Sequence, residues 1–186
     1  MISENRHLNF GFVILSSDRD MGRIKSTLRS INLHYEGTPA ICVVPKETKA
    51  VEMTELKTLC PTFRGKKTFT SLINTGLKKG CKEWNYILME GAILRPGLVQ
   101  KYGRFITSPD DVLFPIVVDY NQQGRPVNLH TEFHNCTLNG LFMHQQTLKK
   151  VGDFGDEPLE MARILWATYA LPEGIQFKAI LGTKLN

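Results

Sequence analysis

The sequence lacks the spacings that announce most common cofactor sites. Its four cysteines, Cys42, Cys60, Cys81 and Cys136, form no CxxC pair, which removes the usual zinc and dithiol signatures. No GxGxxG follows a strand, and neither GxxxxGK[ST] nor GxSxG occurs. A dinucleotide fingerprint, a P-loop and a nucleophile elbow are thereby excluded. There is no internal repeat and no low-complexity segment, which argues against a solenoid. No signal peptide or long apolar span is visible. A reduced, cytoplasmic setting and no membrane span are therefore expected.

What remains is an ordinary globular composition. Of 186 residues, 42% are hydrophobic and 22% charged, enough for one domain with a real core. We expect a single domain over residues 1–186. The net charge of +5 permits anionic partners without choosing among them. Basic residues cluster at Lys46/Lys49, at Arg64, Lys66 and Lys67, and at Lys78, Lys79 and Lys82. Aromatics are not interleaved with them as in an RNA-binding sheet, so a nucleic-acid partner ranks last.

The apolar runs FGFVIL (10–15), PAICVV (39–44) and YILM (86–89) predict buried strands. Ile24, Leu28 and Ile31 keep helical spacing, with Asp20 as N-cap. Residues 50–59 predict a short helix. Residues 68–79 predict another, with Phe69, Leu72, Ile73 and Leu77 on one face. The order β-α-β-α-α-β predicts an α/β fold whose mostly parallel sheet is flanked by helices. Further on, residues 98–105 read as helix. Residues 112–120 (VLFPIVVDY) read as one proline-bearing strand at an edge or bulge. A turn at 121–124, a strand at 137–143 and a helix at 145–151 follow. A helix opening at Asp156 or Glu157 runs to Tyr169, and the last strand is 175–181.

In such a sheet, ligands sit beyond the carboxyl ends of the strands where strand order reverses. That places Ser16–Asp20, Pro45–Lys49 and Glu90-Gly91 around one crevice. Ser17, Asp18 and Arg19 are candidates to hydrogen-bond a base or ribose, and Lys46 and Arg64 to meet phosphate. Asp156 and Glu157 suit either a general base or a helix cap. His130 and His134 stand four apart, but a segment without helical periodicity does not make them a metal pair.

These residues together resemble family 2 glycosyltransferases of the GT-A fold, particularly rhamnosyltransferase-like members, over nearly the whole chain. FGFVILSSDRD with Leu28-Arg29-Ser30-Ile31 is similar to the family's opening strand, turn and helix. Asn74-Thr75-Gly76 is similar to its Asn-x-Gly helix. MEGAILRPG aligns on Pro96-Gly97, so Met89 and Gly91 stand where the two acids of the DxD motif would be. FPIVVDYNQQGRP, LNGLFMHQQTLKKVGDF and Asp156-Glu157 with Arg163 are similar to its later passages.

The resemblance implies a single GT-A-like (Rossmann-like) domain that binds a nucleotide-sugar donor and an acceptor of unspecified kind. It implies inverting transfer to an acceptor hydroxyl, with Asp156 or Glu157 as base. It implies donor contacts from Ser16, Ser17, Asp18, Arg19, Lys46, Arg64, Asn74, Glu90 and Gly91. The degenerate DxD disfavours a divalent cation (manganese or magnesium), so no metal ligand is expected. The family's nucleotide-binding aspartate is also missing, although Glu47 lies close. Lys46, Lys49, Arg64 or Lys66 would then replace the metal's charge. The alternative is a catalytically inactive GT-A-like domain used for binding or assembly. Sugar, nucleotide and oligomeric state are not specified.

Overall fold

The computed structural model describes residues 8–80, 82–123, 125–133 and 137–180. Cys81, Gly124, His134, Cys136 and residues 181–186 lie outside them. The elements run β1 (Phe10–Leu15), α1 (Met21–His34), β2 (Ala40–Pro45), α2 (Ala50–Leu59), β3 (Thr62–Gly65), α3 (Phe69–Lys79) and β4 (Trp84–Met89). Then follow α4 (Leu98–Gly103), β5 (Asp111–Pro115), β6 (Val117–Tyr120), β7 (Pro126–His130), β8 (Phe142–His144), α5 (Gln145–Val151), α6 (Leu159–Ala170) and β9 (Gln176–Ile180).

Seven strands form the main sheet in the order β3-β2-β1-β4-β8-β5-β9. Four of its pairings are parallel, and only β8 runs against its neighbours. The mostly parallel, helix-flanked sheet expected from the sequence is present. Both faces are covered, which is why β1, β2 and β4 read as continuous apolar runs. Phe12 and Ile14 face Ile24, Leu28 and Ile31 of α1 and Met53 and Leu56 of α2. Val13 and Leu15 face Leu72, Ile73 and Leu77 of α3 and Trp166 of α6. Helix α3 sits close because Gly76 has no side chain. A Cβ there would lie 2.4 Å from Val13 Cγ1, a clash the core could relieve only by moving backbone.

Two expectations are corrected, and two strands were not anticipated. Residues 112–120 are not one edge strand. The chain breaks after Pro115, leaving β5 inside the main sheet between β8 and β9 while β6 pairs with β7 in a separate two-stranded sheet. Pro115 has no N–H to give the ladder, and pairing with β9 runs one residue further, Ile116 N donating to Ile180 O at 3.0 Å. Of residues 137–143 only Phe142 and Met143 are strand, in the three-residue β8 that ends at His144. Strand β3 was not anticipated: TFRG is four residues with Arg64 exposed, too short to show a period. Strand β7 is almost wholly exposed and carries no apolar run. Its His130 bonds Asp119 across the hairpin at 2.7 Å.

Asp111, buried at the start of β5, fastens the preceding turn. Its Oδ2 accepts from Thr107 N (2.5 Å), Thr107 Oγ1 (3.0 Å), Ser108 N (3.0 Å) and Lys178 Nζ (2.8 Å). Burial pushes its carboxyl up, but Lys178 and the Thr107 and Ser108 donors prevail and hold it below the ordinary value. A lowered carboxyl contributes stability above its unfolded value, about 4, and loses it as pH falls through the folded one. Asp111→Asn is therefore expected to cost about 2 kcal/mol near neutrality. The gap to the wild type should close in urea titrations carried below about pH 4. A constant gap across that range would reject the assignment.

Candidate functional site

Strands β1, β2 and β3 step outward in one direction, and β4 joins β1 on its other side. The order of the sheet reverses between β1 and β4, which opens a crevice at their carboxyl ends. Ser16–Asp20 leave β1 there and Glu90-Gly91 leave β4.

These two segments are bonded to each other. Glu90 is 3% exposed, and its carboxylate faces the β1–α1 loop. Ser16 Oγ donates to Oε2 at 2.5 Å, Asp20 N to Oε2 at 3.1 Å and Asp18 N to Oε1 at 2.9 Å. Ser16 Oγ in turn accepts from Arg19 N at 3.1 Å. The loop is tight enough that Arg19 takes a left-handed φ of 61°, uncommon for a residue with a side chain. Asp20 caps α1 as expected, accepting from Arg23 N at 3.1 Å.

The turn after Glu90 docks on the first turns of α1. Gly91 N donates to Thr27 Oγ1 at 2.9 Å and to Arg23 O at 3.2 Å. Gly91 has φ 87°, and a Cβ there would lie 2.8 Å from Arg23 Nε. The Arg23 guanidinium thus fills the space a side chain at 91 would need. Its one ion pair among the described residues is loose, 3.9 Å to the exposed Asp18. Asn139 Oδ1 holds the end of β4 by accepting from Met89 N at 3.0 Å.

The remaining expected residues form two other groups. Lys46 is exposed after β2, and Arg64 on β3 donates from Nη2 to Thr48 O at 2.9 Å. Lys46 N donates to Gly65 O at 2.8 Å, so these two belong to one corner of the carboxyl edge. Asn74 lies on α3, where both ends of its amide bind the Phe154 backbone, at 2.8 and 2.9 Å. This fixes the 152–157 loop against α3. The indole of Trp166 helps by donating to Gly152 O at 2.9 Å and stacking on Phe154.

Asp156 and Glu157 lie in that loop and are exposed. Neither caps α6: the N-cap is Pro158, and the acid of the first turn is Glu160. Helix α6 thus begins at Leu159, two or three residues later than expected. The residue before a proline is steered out of helical geometry, a signal already present at Glu157-Pro158. Asp156 pairs with Lys66 Nζ at 3.6 Å. Lys66, Ser71, Asn74, Thr75, Lys78 and Asp156 line an open polar cleft of about 380 Å³.

No protein-family model and no curated protein matches the chain in sequence. Solved structures do match. A mannosyltransferase from Pyrobaculum calidifontis in complex with GDP-Man and Mn²⁺ superposes with TM-score 0.66 at 11% identity, covering 95% of this chain and 55% of that one. TarS of S. aureus gives 0.61 at 14% identity, covering 96% and 36%. CMP:2-keto-3-deoxy-manno-octonic acid synthetase complexed with CTP gives 0.57 at 10% identity, covering 95% and 90%.

The chain has a GT-A-like fold. It spans about half of the mannosyltransferase and about a third of TarS. At these identities the likeness fixes architecture, not residue roles.

The mannosyltransferase complex holds Mn²⁺, but the residues at the end of β4 do not fit such a cation. Met89 offers a thioether and Gly91 no side chain, whereas hard cations take oxygen ligands. Both oxygens of Glu90 are already engaged by the loop. The Arg23 guanidinium adds positive charge at the same place. Among the described residues, no group of three or more His, Cys, Asp or Glu is arranged to hold a metal. Among them too, no helix is long and apolar enough to cross a membrane.

Arg23 was missing from the sequence-based candidates. It is an exposed helix residue with no motif around it. Only its position against Gly91 singles it out.

Proposed function

We propose that the chain binds a nucleotide-sugar donor at the carboxyl edge of β1, β2 and β4 and transfers the sugar to an acceptor hydroxyl with inversion, without a metal. The observation that carries this is the bonded pair of segments, Ser16–Asp20 and Glu90-Gly91, at the strand-order reversal of a GT-A-like sheet. The donor contacts are Ser17, Asp18 and Arg19 on the loop, with Lys46 and Arg64 at its β2–β3 corner. Ser16, Glu90, Gly91 and Asn74 act by holding the site's segments in place. The domain is taken as one unit over residues 1–186.

Asp156 or Glu157 serves as base on the acceptor side, beside the cleft of α3. The carboxylate takes the hydroxyl proton, and the oxygen attacks the anomeric carbon from the face opposite the leaving group. The bond from that carbon to the phosphate oxygen breaks, and the nucleoside diphosphate departs with the electron pair. Attack and departure on opposite faces invert the configuration.

A nucleotidyltransferase reading has one observation in its favour. Two of the structural neighbours, CMP:2-keto-3-deoxy-manno-octonic acid synthetase and 4-diphosphocytidyl-2C-methyl-D-erythritol synthase, are each covered across 90% of their length. Against it, residues 16–20 contain no glycine and two aspartates, a poor cradle for a triphosphate.

The proposal is tested by melting the protein with uridine, guanosine and thymidine diphosphates and their sugars in EDTA. A ligand that binds the native state raises the melting temperature by mass action. At least one diphosphate is expected to do so. No shift with any of them sinks the proposal and returns the inactive-domain alternative, and a shift with CTP alone favours the synthetase reading.

A further inference from the structure

The donor site proposed above needs a positive charge at the diphosphate, and its β4 end offers no metal. We infer that Arg23 is a built-in cation at the β4 end of this site and binds the diphosphate through its guanidinium. This rests on the donor-site reading and adds a residue and a role to it.

Three features converge on Arg23. It lies one turn into α1, directly after the loop that Glu90 fixes at the reversal of strand order. Its guanidinium packs over Gly91, where a Cβ would come within 2.8 Å of Nε, 3.3 Å of Nη2 and 3.5 Å of Cζ. The bare backbone of Gly91 is therefore what lets the guanidinium rest at the end of β4. Finally, the guanidinium is spared for a ligand. Its ion pair with Asp18 is 3.9 Å long between exposed partners, and such surface pairs contribute little. A diphosphate, with more charge and paired oxygens, is the stronger partner for a planar fork of N–H donors.

The chemistry follows from that geometry. As the bond from the anomeric carbon to the phosphate oxygen breaks, negative charge grows on the diphosphate. A fixed guanidinium stabilises that charge without itself exchanging a proton. The acceptor proton goes to Asp156 or Glu157, so the step needs no further reactant.

The test is calorimetric titration in EDTA with guanosine, uridine and thymidine diphosphates and with the three free nucleosides. The variants are Arg23→Ala and Arg23→Lys. The Arg23 side chain is exposed, so both variants should melt as the wild type does without ligand. Arg23→Ala is expected to weaken diphosphate binding by about tenfold or more while leaving nucleoside binding unchanged. Arg23→Lys should fall between, because an ammonium keeps the charge but not the fork. Equal loss for nucleoside and diphosphate would mark a merely structural role and overturn the inference, as would unchanged binding of both. Either result leaves the donor site itself standing, provided the wild type binds. Failure of the wild type to bind any diphosphate overturns the donor site and Arg23's role together.

Discussion

Glu90→Ala is expected to destabilise the protein by on the order of 3 kcal/mol, a large share of the stability of a typical domain. The two oxygens of Glu90 receive the Ser16 hydroxyl and the N–H groups of Asp18 and Asp20. Alanine removes all three bonds and leaves the Ser16 hydroxyl, itself buried, without its acceptor. Hydrogen bonds to a charged acceptor are roughly twice as strong as neutral ones. Glu90→Gln should recover only part of the loss, because its NH₂ sets a donor against a donor. Urea unfolding measures the effect, and an unchanged slope would show that the surface exposed on unfolding stays the same. A cost under about 0.5 kcal/mol, the range of ordinary surface substitutions, would contradict the bracing role. Ser16→Ala should cost less alone, and its effect should largely vanish in the Glu90→Ala background. Such non-additivity is the mark of a shared contact. Under the proposed function, Glu90→Ala also loosens the loop that meets the donor, so diphosphate affinity falls with stability.

The second large effect concerns turnover. A positioned general base contributes roughly 10²- to 10⁴-fold to rate. Asp156→Asn or Glu157→Gln, whichever removes the base, should lower turnover by that order while leaving diphosphate affinity near the wild-type value. Neither should unfold the protein, because both side chains are exposed and neither caps α6. The Asp156 partner is Lys66 at 3.6 Å, across an exposed gap. Release of nucleoside diphosphate in the presence of acceptor reports turnover, and calorimetry reports affinity. Equal activity in both variants and the wild type would reject the base assignment. A loss of affinity matching the loss of rate would instead assign the residue to binding.

How much of this was legible depends on burial and range. FGFVIL, the core of PAICVV and NYILM announced β1, β2 and β4 because strands covered on both faces must be apolar throughout. Helices α1 and α3 showed because each buries a single stripe. Strand β3 stayed hidden since four residues cannot display a period, and β7 because its two apolar residues, Val127 and Leu129, are too few to mark a strand. Strand β8 showed only as part of a longer expected strand. Pro115 was read as an edge signal when it marks the exchange of one sheet for another. At the site, Glu90 was visible as a lone acid at a strand end. Its bonds to Ser16, Asp18 and Asp20, seventy or more residues away, exist only once β1 and β4 are neighbours. Arg23 was invisible for the same reason, since its meaning comes from Gly91 across the β1–β4 junction. Asn74 is expected as a donor contact from the sequence, and in the fold both ends of its amide bind the Phe154 backbone.

The central claim is a diphosphate site that works without a divalent cation. Calorimetric titration of the wild-type protein with nucleoside diphosphates, in EDTA and again in manganese, tests it most directly. The account predicts saturable binding of at least one diphosphate in EDTA, with the same affinity in manganese. Binding that appears only with manganese, or in neither condition, would contradict it.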